Sequence, residues 1–149
     1  MKTFILILLL CILTTVSYGQ EILNKDNVQV LESDKLVVID FWAEWCKYCK
    51  LLDPVINRLI IFNQRYNKNK IEWYKVDVDK DRQFLNNFRP FRGLPVIAFY
   101  RNGKEIDRLI GFQSFLTIQN VINTLLKEER KEKKDNCKDG VCTPPKEVK

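Results

Sequence analysis

Cys46-Lys47-Tyr48-Cys49 is the feature of this sequence best suited to chemistry. Two thiols three positions apart suit three kinds of work: reversible dithiol–disulfide exchange, half of a zinc site, or a small structural disulfide. The pair sits where a buried strand gives way to an amphipathic helix. Unpaired backbone N–H groups and the positive end of the helix dipole gather at such a junction and favour a thiolate. Lys47 adds a positive charge beside it. The chain has no His, so it cannot by itself build a Ser–His or Cys–His pair, a histidine zinc site or a c-type haem attachment.

The surrounding elements must hold this pair in place. Asn24 to Lys35 reads as a short lead-in helix. Leu36-Val37-Val38-Ile39 is an uninterrupted aliphatic run of the kind found in strands covered on both faces, and it leads into Asp40. From Cys46 to about Tyr66, Leu51, Leu52, Val55, Ile56, Leu59 and Ile60 recur at helical spacing, with Pro54 inside. Ile71 to Asp77 reads as a second strand and Arg82 to Phe88 as a short helix. Val96 to Tyr100 and Glu105 to Ile110 flank Asn102-Gly103, a strong hairpin signal. Ser114 opens a last helix with Ile118, Val121, Ile122, Leu125 and Leu126 on one face. The order predicts an α/β fold, a mixed central sheet flanked by helices on both faces.

The stretch Val38 to Lys50 (VIDFWAEWCKYCK) closely resembles the active-site segment of thioredoxins. Pro54, Lys75 to Asp79 (KVDVD), Gly93-Leu94-Pro95, Asn102-Gly103 and Gly111 continue the match in order, from roughly Asp34 to Leu126. The resemblance implies a thioredoxin fold and these roles. Cys46 is the exposed nucleophile that attacks a substrate disulfide, and Cys49 resolves the mixed disulfide. Asp40 lies beneath Cys49 and handles its proton, its pKa raised by desolvation. Lys75 faces that acid from the neighbouring strand. Pro95 follows a cis bond that turns the backbone of Leu94 toward an extended substrate peptide. Trp45 shields the disulfide and offers apolar contact, while Trp42 and Trp73 pack.

The sequence also departs from the family. Lys47-Tyr48 stands where thioredoxins carry Gly-Pro, and the first strand looks short or missing. Related couples span about 150 mV, or ~7 kcal/mol. Lys47 should favour the reduced thiolate form, so a couple more oxidising than thioredoxin is expected.

Cys137 and Cys142 form a second pair in a polar tail, residues 135–149, expected to be flexible. Asp139-Gly140 between them is a turn signal that makes a local disulfide easy. Exchange with Cys46 in the same molecule depends on the last helix. A helix from Ser114 to Lys134 would run about 30 Å and block it, whereas fraying near Leu126 would free enough chain to reach. A four-cysteine zinc site would consume the nucleophile, so no metal is expected.

Of 149 residues, 46% are hydrophobic and 30% charged, an ordinary globular balance that excludes a disordered tail protein or a collagen-like repeat. Met1-Lys2, the apolar run Phe4 to Val16 and Ser17-Tyr18-Gly19 read as a signal peptide cleaved before Gln20. Residues 20–134 then form the domain. Cleavage lowers the net charge from +6 to +5, because residues 1–19 hold Lys2 and no acid. The basic run Lys127 to Lys134 is mixed with acids and reads as a solvated helix end, so neither nucleic acid nor stable membrane insertion is expected.

The reading is an exported protein thiol–disulfide oxidoreductase, a monomer working on proteins in the reducing or isomerising direction. It needs no organic cofactor, only an external redox partner. Periplasm, secretion and an endoplasmic lumen all fit, although the terminal Glu147-Val148-Lys149 is no lumenal retention signal. A binding or chaperone module with a structural CxxC, and a metal carrier using Cys46 and Cys49, stay open as alternatives.

Overall fold

A two-residue strand, β1 (Glu21–Ile22), is the first element of the computed structural model, which describes residues 19–80, 82–88, 90–135, 137–138 and 141–142. The expected signal segment therefore lies outside the described residues, apart from Gly19. The other elements are β2 (Leu36–Trp42), α1 (Lys47–Tyr66), β3 (Ile71–Asp77), α2 (Arg82–Leu85), β4 (Val96–Arg101), β5 (Lys104–Ile110), α3 (Phe115–Asp135), β6 (Cys137–Lys138) and β7 (Val141–Cys142). The main sheet has the order β1-β3-β2-β4-β5. β1 and β2 pair parallel with β3, and β4 pairs antiparallel with both β2 and β5. This is the mixed sheet that the element order predicts, and the first strand, expected to be short or missing, is two residues long.

Alternation along β2 sorts the core into two layers. Leu36 and Val38 point toward α1 and α3, where they pack with Leu52, Ile56, Leu59, Ile60, Ile118 and Ile122. Val37, Ile39 and Phe41 point the other way, onto Leu23, Tyr74, Phe84 and Phe88. Each fully buried aliphatic or aromatic side chain of this kind contributes about 1.5–3 kcal/mol. Asp40, next in the alternation after Leu36 and Val38, falls on the α1 face. At the end of α1 remote from Cys46, the buried Asn63 and Gln119 amides hydrogen-bond each other at 2.8 and 3.2 Å and tie α1 to α3.

Several local expectations need correction. The lead-in helix over Asn24–Lys35 is reduced to one 3₁₀ turn, Val28–Glu32. The Asn27 side chain accepts from the Asn24 N–H and the Asn24 side chain from the Asp26 N–H, each at 2.8 Å, which competes with helical bonding. Leu51 is exposed, because it lies off the stripe set by Cys49, Leu52 and Ile56. The short helix ends at Leu85, where the Asn87 side chain donates to the Phe84 carbonyl. Asn102 and Gly103 both take positive φ, 50° and 74°, as the Asn-Gly hairpin signal requires. Their N–H groups donate to Ser33 and Leu31, which docks the turn on the 3₁₀ segment.

The tail is not wholly irregular. α3 runs unbroken to Asp135, and beyond it β6 and β7 pair antiparallel with Cys137 directly opposite Cys142. Among the described residues no helix is long and apolar enough to cross a membrane.

Candidate active site

Cys46 is the N-cap of α1, with extended backbone (φ −79°, ψ 102°) that lets the following residues turn into helix. Its Sγ accepts the backbone N–H of Cys49 at 3.1 Å, so one of the orphan donors of the first turn is spent on sulfur. This is the interaction the sequence predicts for a stabilised thiolate. Cys46 and Cys49 are joined by a disulfide, S–S 2.07 Å with Cα atoms 5.3 Å apart.

One expectation about this pair is corrected. Cys46 is not an open thiol: it is 5% exposed, against 3% for Cys49. Ala43, Trp42, Val78 and Leu94 pack around the two cysteines.

Trp45 is 70% exposed beside them, held by an indole N–H donated to Asp79 at 2.8 Å. The Leu94–Pro95 bond is cis and Pro95 is buried, its carbonyl accepting the Gly111 N–H at 2.8 Å. Trp42 stacks under the Lys75 ammonium, 5.4 Å from the ring centre, and Trp73 packs in the α1 layer.

Asp40 is 4% exposed, and its Oδ1 finds no hydrogen-bond partner among the described residues. It shares a cavity of about 280 Å³ with Trp42, Glu44, Cys49, Lys50, Asp53 and Lys75. Parallel register sets Lys75 directly beside Asp40 on β3. Burial is the main force that pushes the Asp40 carboxyl up to about 7, the Asp53 charge adds to it, and Lys75 pulls the other way. A buried acid that titrates near neutrality, opening onto the inner cysteine, can take up and return a proton there.

Asp40, Lys75, Trp45, Leu94 and Pro95 thus gather around Cys46 and Cys49, whereas Cys137 and Cys142 do not. Sequence reasoning missed Asp53 and Asp79. Asp53 stands four residues, about one helical turn, past Cys49, and that i,i+4 spacing was the available signal. Replacing Asp53 by Asn should lower the pH at which Asp40 titrates, and replacing Lys75 by Met should raise it. Carboxyl titration followed by infrared or NMR checks both signs; a common direction would dismiss the cavity account.

A dithiol couple seated on a helix N-terminus above a buried acid, within this mixed sheet, defines a protein-disulfide oxidoreductase of thioredoxin fold. The thioredoxin family profile matches residues 19–124, and the chain belongs to the thioredoxin family. A thioredoxin of Malassezia sympodialis is 40% identical over 83 residues, which cover 56% of this chain and 75% of the relative. A thioredoxin of Rickettsia felis is 35% identical over 95 residues, 64% and 86% of the two chains. The crystal structure of the Malassezia protein (Mala s 13) superposes with a TM-score of 0.63 at 31% identity, covering 72% of this chain and 91% of that one. A mutant thioredoxin from Halobacterium salinarum, 23% identical, shares the fold with a TM-score of 0.58 over 70% and 88% of the two chains.

Proposed function

We propose that this chain is an exported protein thiol–disulfide oxidoreductase that reduces or rearranges disulfides in other exported proteins. The observation that carries the chemistry is the Cys46 Sγ held by the Cys49 N–H at the start of α1. In the reduced form the Cys46 thiolate attacks one sulfur of a substrate disulfide and releases the other as a thiolate. Cys49 gives its proton to Asp40 and attacks Cys46 Sγ. The substrate leaves with both sulfurs reduced, and the Cys46–Cys49 disulfide remains.

Leu94 and Pro95 seat the substrate backbone, and Trp45 supplies apolar contact beside the sulfurs. Lys75 limits how far the Asp40 pKa rises. An external dithiol partner returns two electrons to complete the cycle. Support for export comes from Lys2, the apolar run Phe4 to Val16 and the small residues before Gln20. On this reading, residues 20–134 are the working domain and the protein acts as a monomer.

The deciding experiment equilibrates the Cys46–Cys49 couple with glutathione in a protein carrying Ser at 137 and 142. The expected potential lies above the thioredoxin value of about −270 mV, because Lys47 favours the thiolate and no Pro separates the cysteines. A value at or below −270 mV would refute the role given to Lys47-Tyr48. No reversible couple would turn the reading to a binding module, and stoichiometric metal without turnover would turn it to a carrier. Intact mass of the protein recovered from its native host should place the first residue at Gln20.

A further inference from the structure

Cys137 and Cys142 take no part in the site described above, yet the backbone sets them directly opposite each other on the β6–β7 ladder. Only two residues, Asp139 and Gly140, separate the strands in the chain. Residues facing each other across an antiparallel pair lie about 4.5–5.5 Å apart at Cα, inside the ~4.4–6.8 Å range that a disulfide spans. A bridge here would close a loop of only a few residues beyond the last helix. It would therefore constrain almost nothing of the domain, and structural stapling gives it little purpose.

Position separates this pair from the first. Ile110, the last residue of β5, pairs with Val96 next to Pro95, but α3 opens against the far half of α1, where Phe115 meets Phe62 and Gln119 meets Asn63. At its other end Glu129 reaches Arg101 at 3.5 Å and Lys133 reaches Asp34 at 3.7 Å, beside the start of β2. β2 runs from that end to Trp42, just before Cys46, so the hairpin after α3 and the first pair sit at opposite ends of the sheet. The two pairs also see opposite ends of a helix. Cys46 caps the N-terminus of α1, whereas Cys137 stands two residues past Asp135 at the C-terminus of α3. The first location favours a thiolate and the second disfavours it, so the tail should hold its disulfide more firmly.

We propose that Cys137 and Cys142 form a second dithiol–disulfide couple, more reducing than Cys46–Cys49, which exchanges electrons with it only between molecules. A tail thiolate of one copy attacks the Cys46–Cys49 disulfide of another and forms a mixed disulfide. The second tail thiolate then attacks the tail sulfur of that bond. The tail becomes a disulfide, Cys46 and Cys49 become thiols after taking up two protons, and two electrons have moved. The exchange rests on the redox role given to Cys46; formation of the tail couple does not.

Two readouts test this. Untreated wild-type protein, alkylated and cut with trypsin, should yield residues 135–138 still joined to 139–146, since cleavage after Lys138 parts them unless a disulfide holds them. Then the reduced C46S/C49S protein is mixed with the oxidised C137S/C142S protein, and thiols are counted by alkylation and mass. Two equivalents should pass to the second protein at a rate proportional to concentration, with an equilibrium constant of tenfold or more in that direction. Tail peptides that are never joined would overturn the couple. Reverse flow, no flow, or concentration-independent exchange in wild-type protein would overturn its assigned place. If C137S/C142S shows no couple in glutathione, the fault lies with the Cys46 reading instead.

Discussion

Cys46→Ser abolishes turnover on protein disulfides, a loss on the order of 10³-fold or more, because a hydroxyl does not undergo exchange with a disulfide. The fold should survive. The Cys46–Cys49 bridge closes a loop of a few residues, and losing so short a constraint costs about 2 kcal/mol at most. Cys49→Ser should behave differently. It keeps the nucleophile and its place at the head of α1 but removes the resolving thiol, so mixed disulfides with substrate accumulate. Insulin-type reduction assays and nonreducing gels separate the two outcomes. Equal trapping by both variants would mean that either thiol attacks first, and trapping by Cys46→Ser alone that the order is reversed. That outcome is a real test here, since the two oxidised cysteines differ little in exposure, 5% against 3%.

The second large effect concerns Asp40. Its carboxyl titrates at about 7 in the folded protein, against 3.8 for the free side chain. Between those values the native state binds a proton that the unfolded chain has released. Stability associated with Asp40 is therefore complete below pH 4 and is lost as pH rises through 7. Three units at 1.36 kcal/mol each bound the loss at about 4 kcal/mol. Asp40→Asn removes it but buries an amide in a cavity where Oδ1 already lacks a partner, which costs about 1–3 kcal/mol. The variant should thus be about 1–3 kcal/mol more stable than wild type at pH 9, and no more stable at pH 4.

Activity should move the other way. Without a carboxylate to take the Cys49 proton, release of the mixed disulfide slows on the order of 10²-fold, and its inflection near pH 7 disappears. Urea denaturation at the two pH values and stopped-flow release provide the readouts. A variant less stable at pH 9, with the inflection intact, would remove Asp40 from the proton path.

Much of this site was legible along the chain because its signals are local. The change from β-branched run to helical spacing at Cys46 places the dithiol on a helix start, and the first-turn N–H groups follow from helix geometry alone. Asn102-Gly103 specifies its hairpin, because few other dipeptides accept positive φ at both positions. The stripes of α1 and α3 were read from spacing, with Leu51 misplaced by a single position.

The state of Asp40 was of another kind. Its position on the α1 face follows from alternation, but its protonation depends on what covers it, and cover is supplied by segments distant in sequence. Lys75 stands beside it through parallel register, Asp53 faces it from a helix, and together they line one cavity. The reach of the tail was likewise settled only when α3 proved continuous to Asp135, since Arg101 and Asp34 hold its end from remote parts of the chain. Residue type and spacing determine which groups are available and which local conformations they take. Desolvation and charge proximity are properties of the packed molecule, and they belong to the tertiary structure alone.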